Sequence, residues 1–169
     1  MDHLWAPWRR EFVQSAGKKT DQGCIFCTLP AETGAEADRR NLIVGRSASS
    51  FAILNRYPYN NGHVMVVPRR HTGDYASLDA AELGDLQRLL QIAIQVVEEA
   101  YHPGGANLGM NLGHDGGAGI EGHLHWHLVP RWRGDTNFMP VVGATKVINE
   151  LLPQTWDALQ PPFQRRLAG

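Results

Sequence analysis

The sequence predicts an α+β protein with a mainly antiparallel sheet. Three observations carry this: five short strand-like runs, a hairpin-length gap between the first two, and one long amphipathic segment set among them. Alternating βαβ units would need a helical segment after nearly every strand, and the chain has no such rhythm.

The runs are Asn41 to Arg46, Ser50 to Asn55, His63 to Pro68, Ala106 to Asn111 and His123 to Pro130, each carrying Val, Ile, Leu or aromatic residues and bounded by Gly, Pro, Asn or Ser. Between the third and fourth, Leu83, Leu86, Leu90, Ala93, Ile94, Val97 and Tyr101 recur at steps of three and four, which predicts a helix over about Asp79 to Tyr101. Asp79 with Glu82 forms its N-cap pair, and Pro103-Gly104-Gly105 stops it. A weaker helix is expected over Thr145 to Leu159, interrupted by Pro153. The small, polar stretch Thr28 to Arg40 reads as a surface loop.

At 169 residues the chain can bury a core without disulfide staples, so one domain is expected over 1–169, with an N-terminal segment to about residue 30 and a C-terminal tail from about 132. Sixteen basic and 17 acidic side chains leave a net charge of −1. The longest basic cluster is Arg69-Arg70-His71, so no nucleic-acid partner is expected and a nucleotide would bind in a pocket. Met1 to Phe12 has no continuous apolar stretch, which argues against a signal peptide or a membrane partner and for a cytoplasmic protein. The only cysteines stand as Cys24-Ile25-Phe26-Cys27; in a reducing compartment zinc, redox chemistry and chance all remain open.

The most informative stretch is Gly122-His123-Leu124-His125-Trp126-His127-Leu128-Val129-Pro130-Arg131. On a strand, side chains alternate faces, so three imidazoles would line one face about 6 to 7 Å apart while Leu124, Trp126 and Leu128 turn to the core. Such a row suits a phosphorus centre, where one ring attacks while others hold the oxygens and protonate the leaving group. The competing readings are structural histidines and a metal site. An oxidase-type metal centre would also need a carboxylate, and the nearest, Glu121, lies before the strand. Upstream, Asn111-Leu112-Gly113-His114-Asp115-Gly116-Gly117-Ala118-Gly119-Ile120 is glycine-rich enough for main-chain amides to approach an anion.

His123 to Val129 resembles the His-φ-His-φ-His-φ-φ signature of the histidine-triad (HIT) superfamily, and Asn55 to Pro68 resembles its upstream Asn and Gly-His segment. The run Val129 to Phe138 is similar to a bacterial subgroup that includes diadenosine tetraphosphate phosphorylases. The resemblance implies a HIT-like fold, a homodimer with sheets joined edge to edge, and cleavage of dinucleoside polyphosphates through a nucleotidyl-histidine intermediate, with water or orthophosphate as acceptor and no metal at the phosphorus. Adenosine phosphoramidate hydrolysis and a non-catalytic nucleotide-binding module are the alternatives.

Carried over by position, His125 is the nucleophile, His127 binds the phosphate and assists the leaving group, and His63 supports the triad. Asn55 falls at the ribose position; Asn111, Gly116, Gly117, Gly119 and Ile120 fall at the α-phosphate cradle. Many relatives have Gln, Ser or Thr just before the triad, where this chain has Ile120-Glu121-Gly122, so the phosphate donor at that point is open. Some bacterial relatives hold a structural zinc with positions matching Cys24, Cys27, His71 and His123. The nucleophile has to be neutral, so activity is expected to fall in acid, near pH 6.5 for an unperturbed imidazole. His114, Arg131, Arg133 and Lys146 are candidate phosphate contacts, and Asp135, Thr136, Asn137 and Lys146 are candidate contacts to the acceptor or the polyphosphate chain. Trp5 and Trp8 are expected to dock the N-terminal segment.

Overall fold

The structure is a computed structural model that describes residues 23–136, 142–143 and 147–168. His3, Trp5, Trp8, Asn137, Thr145 and Lys146 therefore lie outside the described residues. Five strands, β1 (Ile43–Arg46), β2 (Ser50–Leu54), β3 (Val64–Pro68), β4 (Gly105–Met110) and β5 (Trp126–Arg131), form one sheet in the order β1-β2-β3-β5-β4. Every neighbouring pair is antiparallel. Each predicted run overlaps one strand, with ends that coincide or differ by up to three residues.

The largest trimming falls on the histidines. β5 begins at Trp126, so His123 and His125 stand on its approach. There the Leu124 amide donates to the Thr72 carbonyl at 2.8 Å and the His123 amide to Ile120 at 3.3 Å. The loop after β3 thus supplies, through Thr72, a hydrogen bond that a strand partner would otherwise make. Within β5, Met65 faces His127 while Val64 and Val66 face Leu128 and Trp126, so His127 lies on the opposite side of the sheet from Leu128. Leu124 and Leu128 are buried as expected; Trp126 is only half-buried.

Two segments depart from the sequence reading. Residues 25–40 are not a loop: they form α1 (Ile25–Thr28), a single 3₁₀ turn (Leu29–Ala31) and α2 (Ala35–Arg40). Helices this short show no apolar period, and side chains hold the segment. Arg46 of β1 reaches Asp38 and the carbonyls of Pro30 and Glu32, while Asn41 binds Glu32 and the Leu29 carbonyl.

The long helix α3 (Ala80–Tyr101) matches its prediction. The Asp79 carboxylate accepts from the Ala81 and Glu82 amides, and Glu82 accepts from the Asp79 amide in return. His102 closes the helix in a left-handed conformation (φ 45°). Leu86, Leu89, Leu90, Ala93, Val96 and Val97 are buried along the stripe that packs on the sheet.

The second departure is at the C-terminus, where the helix α4 runs Leu152–Leu167 in place of Thr145 to Leu159. Pro153 does not interrupt it, because a proline in the first turn lacks only an N–H that has no intrahelical partner. Leu159 and Phe163 are fully buried, and α4 packs on β1 and α3. A Cβ on Gly45 would lie 2.8 Å from Phe163 Cδ1, so the close approach of α4 to β1 depends on glycine there. Among the described residues no helix is long and apolar enough to cross a membrane.

Candidate active site

His125, His127 and His63 come together on one face of the sheet. The His125 ring is buried, and its Nδ1 lies 2.8 Å from the His123 carbonyl, which can only accept. His125 Nδ1 therefore carries the proton, and in the neutral ring Nε2 holds the free electron pair. Burial pushes the His125 pKa down, against the opposing pull of that hydrogen bond, so the ring is neutral near pH 7.

The neighbouring ring is set the other way. The Tyr59 amide donates to His63 Nδ1 at 3.1 Å, so His63 carries its proton on Nε2 and donates to His127 Nδ1 at 2.9 Å. His127 is left with its own proton on Nε2. Asn55 supports this arrangement: its Oδ1 accepts from the Tyr57 amide, which turns Nδ2 toward His63 Nδ1 at 3.4 Å. The centroids of His125 and His127 are 5.0 Å apart at 76°, closer than strand rise alone predicts because His125 lies before the strand. An unprotonated nitrogen and an N–H donor thus stand side by side.

Tyr59, which the sequence reading did not single out, packs on both rings of the relay, at 4.7 Å from His63 and 5.8 Å from His127. The glycine loop is exposed. Asn111 Nδ2 donates to the Gly117 carbonyl, and the Gly117 amide is itself bonded to His114. The amides of Gly119 and Ile120 make no backbone hydrogen bond among the described residues. Gly116 is required where it stands, since a Cβ there would lie 2.2 Å from the Leu112 carbonyl oxygen. His114 is exposed and pairs with Asp115. Arg131 is held by Asp135 and Asn107, and the guanidinium keeps the Asp135 carboxyl well below the usual carboxylate range.

A second cluster adjoins the first. Cys24, Cys27, His71 and His123 each place a donor atom within 4.8 Å of the others. Cys24 Sγ and Cys27 Sγ lie 3.3 and 3.6 Å from His123 Nδ1, Cys27 Sγ lies 3.3 Å from His71 Nδ1, and the two Nδ1 atoms are 3.3 Å apart. Tetrahedral zinc bonds of ordinary length require S···N of about 3.6 Å and N···N of about 3.3 Å. The donors therefore fit a closed four-coordinate cation. His123 Nε2 donates to the Pro68 carbonyl at 2.8 Å, which leaves Nδ1 unprotonated toward the cluster. Partial burial, then the neighbouring Cys24, push the Cys27 thiol up; a bound divalent cation reverses that balance. The segments that carry His71 and His123 approach closely, for a Cβ on Gly73 would lie 2.4 Å from the Glu121 carbonyl oxygen.

A five-stranded antiparallel sheet presenting three adjoining histidines defines the class, and comparison agrees: the HIT domain family model matches residues 36–134, and the chain belongs to that family. It is similar to an AP-4-A phosphorylase of Mycobacterium tuberculosis, 38% identical over 170 residues that span 98% of this chain and 86% of that protein. Among solved structures it resembles a histidine triad nucleotide-binding protein of Sulfolobus tokodaii, described as hypothetical, at a TM-score of 0.63 and 25% identity, covering 86% of this chain and 92% of that one. A zinc-bound histidine triad family protein of Mycobacterium smegmatis superposes at a TM-score of 0.67 and 20% identity, covering 88% and 99%.

Proposed function

We propose that this protein cleaves dinucleoside polyphosphates of the diadenosine tetraphosphate type by double displacement at His125, with orthophosphate as the acceptor. The observation that carries the reading is the opposed tautomers of the two rings, His125 with a free Nε2 and His127 with an Nε2 proton to give. The similarity to an AP-4-A phosphorylase over nearly the whole chain supports the substrate class and the acceptor.

In the first half-reaction His125 Nε2 attacks the α-phosphorus, a P–N bond forms, the bond to the bridging oxygen breaks, and His127 gives its proton to the departing ATP. In the second, an oxygen of orthophosphate attacks the same phosphorus, His127 takes the proton back, the P–N bond breaks and ADP leaves. His63 keeps His127 in the donating tautomer. Asn55 is assigned to the ribose, and Asn111, Gly116, Gly117, Gly119 and Ile120 to the α-phosphate side, where the amides of Gly119 and Ile120 are the available donors.

Cys24, Cys27, His71 and His123 would hold zinc, whose chemistry here is structural: it ties the N-terminal turn to the histidine segment. Reduced thiols of that kind suit a cytoplasmic setting. A homodimer paired through β4 is the favoured assembly, because β4 is an open edge of the sheet and Leu108 and Leu112 are exposed there.

The test is product analysis with diadenosine tetraphosphate, with and without orthophosphate, for the wild type and His125→Ala. ADP plus ATP appearing only with orthophosphate supports the phosphorylase; AMP plus ATP in buffer alone makes it a hydrolase. Wild-type-like turnover by His125→Ala would overturn the assignment of the nucleophile.

A further inference from the structure

Phe26 lies between the two cysteines on α1, a single helical turn that cannot be stable by itself. Its ring is 1% exposed and is wedged among three others. It stands 5.1 Å from His125 at 48°, 5.5 Å from His123 at 75°, and 6.5 Å from Phe51 of β2 at 62°. The same residue thus touches a member of the metal-ligand set and the ring assigned above as nucleophile, with the sheet behind it.

We propose that Phe26 is a positioning residue: held in place by the metal-binding turn, its ring fixes the orientation of the His125 imidazole, so that occupancy of the Cys24, Cys27, His71 and His123 cluster is felt at the reacting nitrogen. The inference rests on the reading of His125 as nucleophile. His125 has its Nδ1–H on the His123 carbonyl. A ring held by that single hydrogen bond can still swing away from the carbonyl and exchange its proton to Nε2, and packing against its face removes the freedom. His123 links the two functions, since its ring belongs to the metal cluster while its carbonyl holds His125. Phe26 does not serve as a wall of the substrate pocket, because a side chain this buried leaves no surface for a substrate to touch.

Loss of this support is expected to misplace Nε2 rather than to weaken substrate binding. A displacement of order 1 Å at a reacting atom costs up to about 10²-fold in rate. In Phe26→Leu, which keeps an apolar side chain but removes the ring, kcat should fall at least ~10-fold with KM within about twofold and with the metal retained. Nitrogen NMR of the His125 ring in the free protein, assigned with His125→Ala and read at one alkaline pH, provides the independent readout. The metal-loaded wild type should hold a single Nδ1–H tautomer. Both Phe26→Leu and chelator-stripped wild type, checked as folded by circular dichroism, should show tautomer averaging.

A Phe26→Leu protein with wild-type kcat and an unaveraged His125, or a change confined to KM, would overturn the proposal. So would stripped wild type that keeps the single tautomer, a result that stands even if the leucine variant does not fold. Because the NMR measurement needs no substrate, Phe26-dependent ordering of His125 in a protein without turnover on diadenosine tetraphosphate would count against the substrate reading and not against the positioning.

Discussion

Trp156→Phe tests how the C-terminal helix is attached to the sheet. Adjacent carbonyls of a strand point to opposite edges, and the Leu42 carbonyl already accepts from the Leu54 amide beside β2. The Ile43 carbonyl therefore faces the open edge of β1, where Trp156 Nε1–H meets it at 2.8 Å in a buried setting. Phenylalanine fills much of the same space but cannot donate, and a buried acceptor left unpaired costs about 1–3 kcal/mol. The volume lost with the five-membered ring adds about 1 kcal/mol. Arg39 stacks 5.1 Å above the indole and pairs with Asp157, but both are exposed, so Arg39→Ala should cost less than about 1 kcal/mol. The expected loss for Trp156→Phe is roughly 2–4 kcal/mol, or about 4–16 °C in Tm for a chain of this size. Urea unfolding followed by far-ultraviolet circular dichroism measures it, with the m-value checked for constancy. A loss below about 0.5 kcal/mol, or an equal loss in Arg39→Ala, would refute the view that this hydrogen bond secures α4.

Three further outcomes are expected. Protein purified without added metal should carry stoichiometric zinc, whereas Cys24→Ser should carry far less and unfold at a lower temperature; well-folded wild type with clearly substoichiometric zinc would count against the cluster as a zinc site. Gly116→Ala should raise the Kd for nucleotide roughly tenfold, about 1.4 kcal/mol, because the loop has to move away from the Leu112 carbonyl. Its Tm should change little, since the loop is exposed; unchanged affinity by titration calorimetry would remove the loop from the binding site. The hydrogen bonds from Arg70 and the Asp79 amide pull the Glu82 carboxyl from 4.5 down to about 2. Its contribution to stability is therefore complete above pH 4.5 and is lost as the pH falls through about 2. Glu82→Gln, which retains the capping acceptor, should flatten the loss of thermal stability over that window, and parallel curves for variant and wild type would show that the pair contributes nothing.

What the sequence determined by itself was whatever is encoded in local period and spacing. The α3 stripe, the capping pair Asp79 and Glu82 and the five strand runs are written in residues close to one another, and the structure follows them. The alternating histidines and the Cys-x-x-Cys pair were legible for the same reason, as was the family they resemble. Four features were not legible. The helical character of residues 25–40 depends on Arg46 and Asn41, and the reach of α4 to Leu167 depends on burial of Phe163 against Gly45. Phe26 and Tyr59 carry no motif of their own; they matter because the fold sets their rings against His125 and His127. The tautomers were decided last of all. An imidazole is the same residue whichever nitrogen bears the proton, and only the His123 carbonyl on one ring and the Tyr59 amide behind the other, brought there by tertiary contacts, make one histidine an acceptor and its neighbour a donor.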